Sequence, residues 1–217
     1  MGFFSDLKNV TNVKSFNSLN DNENVDMDLV FILDKSGSMR DIEEDTIGGF
    51  NSFIEKEKEN NKNTRVTLVL FDDEYKILYT RKPIDEVKQL TNKEYCTGGC
   101  TALLDAVGRT IVSLGGEVSK KVMFVITTDG LENASKEFTK DQVKKLIDEK
   151  PWEFLFIGAD IDSYSEAQRI GIPSYRSANF KKSRAGLGSL FNDVSRFKRY
   201  YENDEQVRGC DWKKELD

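Results

Sequence analysis

The chain has 217 residues, of which 38% are hydrophobic and 32% are charged, and its formal net charge is −6. This length is enough to bury a hydrophobic core without disulfides, and the negative charge disfavours general nucleic-acid binding, which depends on a clustered positive field. The absence of histidine excludes Ser-His-Asp and Cys-His nucleophiles and histidine-ligated zinc. The three cysteines, Cys96, Cys100 and Cys210, are too few for a four-cysteine zinc site and do not indicate a disulfide framework, so we expect reduced thiols of a cytoplasmic protein.

The N-terminal segment, residues 1–26, is rich in Asn, Asp and Ser. This composition predicts a flexible leader; the alternative is a short helix that docks on the domain through Phe3, Phe4, Leu7 and Val10. The segment lacks the cationic start and long apolar run of a secretory signal, and no stretch of the chain approaches 18 apolar residues. We therefore expect a cytoplasmic protein that does not interact with a membrane.

Buried strands and amphipathic helices alternate from residue 28 onward. Short apolar runs rich in β-forming residues predict strands, and apolar residues at helical spacing predict helices. Only three acidic residues separate the second and third strands, so we expect the third to run antiparallel at the sheet edge. In chain order the prediction is strand 28–33, helix 42–60, strands 65–71 and 75–80, helix 102–114, strand 121–128, helix 139–149, strand 152–159, helix 163–170, a short strand at 173–175 and helix 183–201.

This alternation predicts an α/β fold with a doubly wound, mostly parallel central sheet of about six strands, one antiparallel edge strand, and helices on both faces. We expect the domain to span residues 27–203, followed by a C-terminal tail at residues 204–217. In folds of this class, ligands bind beyond the carboxyl ends of the strands, where the strand order reverses. Side chains that directly follow strands are therefore the candidates for a functional site.

Three polar segments lie at or near such positions. Strand 28–33 leads into Asp34-Lys35-Ser36-Gly37-Ser38, and strand 121–128 leads into Asp129-Gly130. Between them in the sequence, Gly98-Gly99-Cys100-Thr101 enters the predicted helix at 102–114. Each segment alone is a common turn or cap sequence. Their occurrence together, in this order, predicts one shared site at the sheet edge.

These segments resemble the motifs of the von Willebrand factor A-type (VWA) domain family over roughly residues 27–200. DKSGS resembles the family's D-x-S-x-S motif, GGCTALLDA its threonine loop, and TTDG its final aspartate turn. The resemblance implies a metal-ion-dependent adhesion site in an intracellular, stand-alone protein of bacterial type. By that resemblance Ser36, Ser38 and Thr101 would bind the metal through their hydroxyls, and Asp34 and Asp129 would bind it through water or accept hydrogen bonds from its ligands.

The expected ligands suit a hard divalent cation. Mg²⁺ prefers six oxygen ligands in an octahedron. Neutral hydroxyls leave the charge of the ion incompletely balanced, while two nearby carboxylates hold it in place. The ion then attracts one more carboxylate, which an Asp or Glu of a partner protein would supply. Mg²⁺ is the expected cofactor, and Mn²⁺ or Ca²⁺ would also suit oxygen ligands.

The predicted function is a metal-dependent adaptor module that binds a protein partner, and not an enzyme. One alternative is a scaffold whose metal site is purely structural. Another is a metal-dependent phosphohydrolase that uses Asp34. Phosphohydrolases of the haloacid dehalogenase type need a second acid two residues later, however, and this chain has Ser36 there. The sequence also lacks a Walker A motif and a G-x-G-x-x-G segment after a strand.

Two other acidic groups follow predicted strands. We interpret Asp72-Asp73-Glu74 as a solvated hairpin turn, and Asp160 with Asp162 as a helix cap. The alternative for both groups is a second cation site or support for the first. Asp105 either braces the Thr101 loop or is an ordinary carboxylate on a helix surface.

The remaining candidates are thiols and a basic cluster. We interpret Cys96 and Cys100, which flank the Thr101 loop, as ordinary thiols, with a redox switch as the alternative; Cys100 also departs from the small residue expected before Thr101. We interpret the basic cluster as the polar face of the last helix, with a patch for nucleic acid or an acidic partner as the alternative. The cluster comprises Arg176, Lys181, Lys182, Arg184, Arg196, Lys198 and Arg199.

Overall fold

The structure is a computed structural model, and it describes residues 25–60, 63–115, 118–203, 212–214 and 216. Except for its last two residues, the predicted leader lies outside these ranges, and so does Cys210. Within the described residues, no helix is long and apolar enough to cross a membrane.

Six strands form a single sheet in the order β3-β2-β1-β4-β5-β6. All neighbouring strands run parallel except β2 and β3, which pair antiparallel at one edge. The predicted fold class is confirmed. The strands are β1 at Met27–Asp34, β2 at Thr64–Phe71, β3 at Tyr75–Pro83, β4 at Lys121–Thr128, β5 at Glu153–Gly158 and β6 at Ser177–Asn179.

Five α-helices connect and cover the strands of the described chain. They are α1 at Glu43–Asn60, α2 at Leu103–Leu114, α3 at Lys140–Asp148, α4 at Ser163–Arg169 and α5 at Arg184–Glu202. Short 3-10 helices lie at Gly37–Ile42, Ile84–Glu86 and Ser174–Arg176. All five predicted helices are present, with ends that differ by at most one residue from the predictions.

Successive side chains of each central strand point to opposite faces of the sheet, which creates two hydrophobic layers. On one face, Leu29, Phe31 and Leu33 pack with residues of α1 and α5. On the other, Val30 and Ile32 pack with residues of α2, α3 and α4. Because β1 is apolar on both faces, it lies at the centre of the sheet and fixes the position of the segment that follows it.

The last strand is the one element whose position was predicted wrongly. Residues 174–176 form a 3-10 turn that begins after Pro173, with the Arg176 N–H donating to the Pro173 carbonyl at 2.8 Å. The strand follows at Ser177–Asn179, where it pairs with β5. Proline suits the start of such a turn because its backbone torsion is already restricted.

Part of the predicted tail packs against the domain. The Trp212 side chain is buried, its indole N–H donates to the Tyr175 carbonyl at 2.8 Å, and its ring meets Phe197 edge-on. Leu216 is also buried in the same hydrophobic layer. These contacts cover the sheet near β6.

Candidate metal site

Asp34 ends β1 at the point where the strand order reverses, and its side chain is fully buried. One carboxylate oxygen accepts the Ser36 N–H at 2.7 Å, and the other accepts the Thr128 hydroxyl at 2.6 Å. Burial raises the pKa of Asp34 to about 6, although the hydrogen bonds from Thr128 and Ser36 oppose the shift. The carboxylate is therefore held in one orientation, in surroundings that disfavour its charge.

The two serines and Asp129 form one hydrogen-bonded group beside Asp34. The Ser36 and Ser38 hydroxyl oxygens are 3.2 Å apart, and the Ser38 hydroxyl donates to Asp129 Oδ1 at 2.6 Å. Ser36 and Asp129 are buried, whereas Ser38 is exposed at the rim. The segments after β1 and β4 thus meet, as the sequence predicted, and the group opens to solvent at Ser38.

Thr101 lies on the other side of Asp129. Its backbone N–H donates to the Asn133 side-chain oxygen at 2.9 Å, and its carbonyl accepts the Asn133 N–H at 3.0 Å. Its hydroxyl faces the Gly130 backbone so closely that a Cβ at Gly130 would lie 2.5 Å from Thr101 Oγ1. A glycine after Asp129 is therefore what allows the threonine hydroxyl to approach the aspartate turn.

Backbone hydrogen bonds fasten the Thr101 loop to the serine loop. The Gly37 N–H donates to the Gly99 carbonyl at 3.2 Å, and the Gly98 N–H donates to the Lys35 carbonyl at 2.8 Å. Gly99 has a φ of +67°, the left-handed region that glycine adopts without strain. The two loops therefore hold their hydroxyls at a fixed separation.

The acidic turn after β2 joins the antiparallel strands β2 and β3, with Asp73 and Glu74 exposed, and it also supports these loops. Asp72 is buried, pairs with the Lys35 ammonium, and accepts the Glu74 N–H at 2.7 Å. Asp73 accepts the Cys100 N–H at 3.1 Å. The interpretation as a solvated turn is wrong for Asp72, because both of its carboxylate oxygens are used to secure neighbouring backbone and Lys35.

Two further carboxylates secure the segment after β4. Asp105 accepts the N–H groups of residues 136–138, at 2.8 to 2.9 Å. Glu132 accepts the Leu104 N–H at 2.9 Å at the start of α2. Asp105 is therefore a brace, as one reading of the sequence expected, but it braces the segment after β4 rather than the Thr101 loop itself.

Lys182 is the residue at this site that sequence reasoning missed. Its ammonium nitrogen lies 2.7 Å from Asp129 Oδ2 and 3.3 Å from Asp160 Oδ2. Burial lowers the pKa of Lys182, but its contacts with Asp129 and Asp160 together raise it above its ordinary value. The sequence placed Lys182 only in a basic cluster, and no local motif connects it with Asp129.

Ion pairs within the domain take up much of the basic cluster. Arg176 pairs with Glu153, Arg196 with Asp193, and Lys198 with both Glu57 and Glu202. Arg176 and Lys198 are buried. The reading as a solvated helix face is therefore wrong for these two residues, because their charges balance carboxylates in the interior.

Asp162 matches its simpler interpretation, and the interpretation of Cys96 and Cys100 as ordinary thiols stays a prediction. Asp162 caps α4, accepting the Ser165 N–H at 3.1 Å, and this confirms the helix-cap interpretation. Asp160, by contrast, contacts Lys182. Cys96 and Cys100 are free and exposed.

The chemistry of the ligand set fits a hard divalent cation. Asp34, Asp129, Ser36 and Ser38 meet at the ends of β1 and β4, and the Thr101 hydroxyl lies against Gly130. All their donor atoms are oxygens of the kind that Mg²⁺, Mn²⁺ and Ca²⁺ prefer. Asp129 Oδ2 is buried and accepts no hydrogen bond from the described residues, although the Lys182 ammonium is at ion-pair distance. Within the described residues, no group of three or more Cys, Asp or Glu side chains could hold a metal ion, so the candidate site depends on its hydroxyls as well as its two carboxylates.

The open α/β sheet identifies the molecule as a Rossmann-like domain, and the hydroxyl and carboxylate side chains lie where the strand order reverses, at the position where such folds bind ligands. Residues 28–193 match the model of the von Willebrand factor type A domain, so the chain belongs to this family. No curated protein sequence matches the chain.

Solved structures of VWA-containing proteins share the fold. The pilus adhesin SpaC from Lactobacillus rhamnosus GG aligns with a TM-score of 0.67 and 14% identity, over 88% of this chain and 31% of that one. Proximal thread matrix protein 1 from the mussel byssus, with a zinc-occupied MIDAS motif, aligns with a TM-score of 0.59 and 18% identity, over 77% of this chain and 44% of that one. The ArnB paralog VWA2 from Sulfolobus acidocaldarius aligns with a TM-score of 0.57 and 17% identity, over 82% of this chain and 46% of that one. The chain thus matches less than half the length of each of these three proteins.

Proposed function

We propose that this chain is a divalent-metal-dependent protein-binding module whose metal site captures an Asp or Glu side chain of a partner protein. The observation that carries the proposal is the convergence of two buried carboxylates, Asp34 and Asp129, with the Ser36 and Ser38 hydroxyls at one sheet edge. Burying two carboxylates side by side is costly unless cations balance both, and the Lys182 ammonium lies at ion-pair distance from one of the two, Asp129. A divalent ion would supply that charge.

The arrangement suits capture of a ligand from solution. Ser36, Ser38 and Thr101 would hold the ion through neutral hydroxyls, and Asp34 and Asp129 would hold it directly or through water. A bound divalent ion would supply positive charge that attracts a carboxylate. Ser38 is exposed, so the ion's free side would face solvent. The pilus adhesin and the byssus protein with its zinc-occupied site support this reading at the level of fold.

Leu131 gives the proposed interface an apolar contact. It follows Asp129 by two residues and is 55% exposed, which is high for a leucine in the described chain. A partner that inserts a carboxylate at the metal would cover this side chain at the same time. Protein interfaces commonly combine a central polar anchor with surrounding apolar contacts.

We also propose that the module has no enzymatic activity of its own. Ser36 stands where a phosphohydrolase of the haloacid dehalogenase type needs its second acid, and its hydroxyl is engaged with Ser38. The metal would therefore serve recognition rather than catalysis. A cytoplasmic location stays a prediction from the cysteine content.

The first test is thermal unfolding of the wild type in EDTA, Mg²⁺, Mn²⁺ and Ca²⁺. A metal present at about 100 times its dissociation constant stabilises the folded state by about 2.7 kcal/mol, which corresponds to a rise in Tm of roughly 5–10 °C for a domain of this size. Thr101→Val should abolish the rise, because it removes the hydroxyl but leaves the backbone hydrogen bonds of Thr101 in place.

Thr110→Val is the matched control. Thr110 is also buried and its hydroxyl contacts Tyr75, outside the proposed site, so this variant should have a lower Tm but the same metal-dependent rise. Equal rises in wild type and Thr101→Val would contradict the proposed ligand set. No rise with any of the three ions in the wild type would contradict the proposed metal binding by this chain.

Carboxylate capture needs a separate probe. With Mg²⁺ present, acetate should shift the amide resonances of residues around Ser38 and Leu131, whereas acetamide at the same concentration should not, because it carries no negative charge. With EDTA present, neither molecule should have an effect. Equal effects of acetate with and without the metal would argue against a metal-mediated interaction.

A further inference from the structure

Lys182 brings a second cation to the proposed metal site. It lies in the short segment between β6 and α5, and its side chain is 25% exposed. Its ammonium is 2.7 Å from Asp129 Oδ2, the same buried oxygen that accepts no hydrogen bond from the described residues. The other oxygen of Asp129 is occupied by the Ser38 hydroxyl. The ammonium is therefore placed at the oxygen that a metal, or a metal-bound water, would use.

We propose that Lys182 is a tethered cation that competes with the divalent ion for Asp129 and so sets the metal affinity of the site. This inference rests on the proposed metal-dependent function. Without metal, the ammonium balances one of the two buried carboxylates. When metal binds, two cations would share one carboxylate oxygen, and their mutual repulsion opposes binding until the ammonium withdraws.

Asp160 offers the displaced ammonium a second partner. Its Oδ2 already lies 3.3 Å from Lys182 Nζ, and its side chain is 66% exposed, on the solvent side of the lysine. Asp160 has a φ of +55°, a conformation that residues other than glycine seldom adopt. The neighbouring Ala159 N–H donates to the Thr128 carbonyl at 3.0 Å, which fastens this turn beside Asp129. Lys182 can therefore leave Asp129 without losing every ionic contact.

If Lys182 competes with the metal, removing its charge should change two quantities in opposite directions: the stability of the metal-free protein should fall and the affinity for Mg²⁺ should rise. Lys182→Met removes the ammonium, so Asp129 loses its balancing charge and the metal-free protein should have a lower Tm. The same change removes the competing cation, so Mg²⁺ should bind about fivefold more tightly, or more. A lysine that merely supported the site would weaken metal binding when it was removed, and would not produce this pair of effects.

The experiment is titration of the full chain with Mg²⁺ by calorimetry, together with Tm in EDTA, for the wild type, Lys182→Met and Lys181→Met. Lys181 is the matched control, because it is exposed in the same segment and its loss changes the net charge by the same amount. We expect Lys181→Met to leave both quantities near wild type. Asp160→Asn should weaken Mg²⁺ binding, since the ammonium then has only Asp129.

The outcomes separate this inference from the function on which it rests. If the wild type binds Mg²⁺ and Lys182→Met binds it equally or more weakly, the proposed competition is overturned, but the proposed metal site still stands. Binding by neither protein would overturn both. Should Lys182→Met be too unstable to titrate, Lys182→Gln removes the charge, retains a hydrogen-bond donor, and is subject to the same two criteria.

Discussion

Asp34 shows how a single buried carboxylate can prepare a cation site. Its two oxygens are oriented by the Ser36 N–H and the Thr128 hydroxyl, yet burial outweighs these hydrogen bonds and raises its pKa to about 6. The charged form is therefore destabilised by the fold unless a cation lies nearby. Because of this cost, the unfolding free energy of the metal-free protein should depend measurably on pH.

The prediction for Asp34 concerns the protein in EDTA. Since its pKa in the folded state is raised above the ordinary value of 3.8, its protonated form stabilises the fold below about pH 4, and this contribution is lost as the pH rises through about 6. The stability of the wild type relative to Asp34→Asn should therefore fall by about 2–3 kcal/mol over this interval. Urea unfolding of both proteins at several pH values measures the difference.

Asparagine is a suitable reference at this position. Its side-chain oxygen can accept the Ser36 N–H, while Thr128 can turn its hydroxyl to the Gly130 carbonyl, already 3.1 Å away, and accept from the amide. Asp34→Asn thus keeps the shape of the side chain and removes the group that takes up a proton. A constant difference between the two proteins across the pH range would show that Asp34 does not titrate in this interval.

The five proposed ligands could be found from the sequence because each lies in a short segment with a recognisable motif. Lys182 could not, because no spacing along the chain relates it to Asp129, and only the sheet order brings β6 and its following segment to that edge. The buried state of Asp72 was missed for a similar reason, since its partner Lys35 lies on another strand end.

At the scale of elements, the Thr101 loop depends on two adjacent glycines with different requirements. Gly99 has a φ of +67°, and a Cβ there would lie 1.9 Å from Asp73 Oδ1. Gly98 does not have a positive φ, and a Cβ added there would have no other side chain or backbone atom within 4 Å. The pair therefore separates the effect of backbone geometry from the effect of adding a methyl group.

Gly99→Ala should reduce the unfolding free energy by at least about 1 kcal/mol, because alanine is strained at positive φ. It should also weaken the metal-dependent rise in Tm, because Asp73 must move away from the loop. Gly98→Ala should leave both quantities close to wild type or raise stability slightly. Similar behaviour of the two variants, measured by thermal unfolding with and without Mg²⁺, would contradict this account.

Strand prediction succeeded for the continuously buried strands and for β3, and it failed for the short β6. β1, β2 and β4 are buried over nearly their full length and contain apolar runs rich in β-forming residues, so their sequences mark them as interior strands. β6 is Ser-Ala-Asn, which carries no apolar run, and it forms a strand because β5 offers it a ladder of hydrogen bonds. Tertiary pairing of this kind is not visible in local sequence.

On the scale of the whole molecule, a buried ionic cluster joins the first and last helices. Lys198 in α5 is fully buried and contacts Glu57 in α1 at 3.0 Å, as well as Glu202 one turn later. Glu57 also accepts the Ser195 hydroxyl at 2.8 Å. These contacts lie on the sheet face opposite α2 and α3, and they fix α5 against α1.

Lys198→Met should reduce the unfolding free energy by about 3 kcal/mol or more, because it leaves Glu57 as a buried charge with no balancing cation. Arg199→Met, which removes the same charge from an exposed position on the same helix, should change it by no more than about 0.5 kcal/mol. Urea unfolding at neutral pH distinguishes them. A small effect for both would contradict the proposed role of Lys198 in balancing the buried Glu57.

The two edges of the sheet have a consequence for association between chains. A long, flat edge strand invites a second copy to extend the sheet, and this is a common route to aggregation. β3 carries the positive charges of Lys76, Arg81 and Lys82, and its pairing with β2 shifts register twice. The opposite edge, β6, is three residues long, and its Ser177 carbonyl accepts from Lys213 at 3.0 Å. Sheet extension is thus opposed by charge and irregular pairing at one edge and by covering at the other, which leaves the rim with Ser38 and Leu131 as the proposed surface for specific contacts.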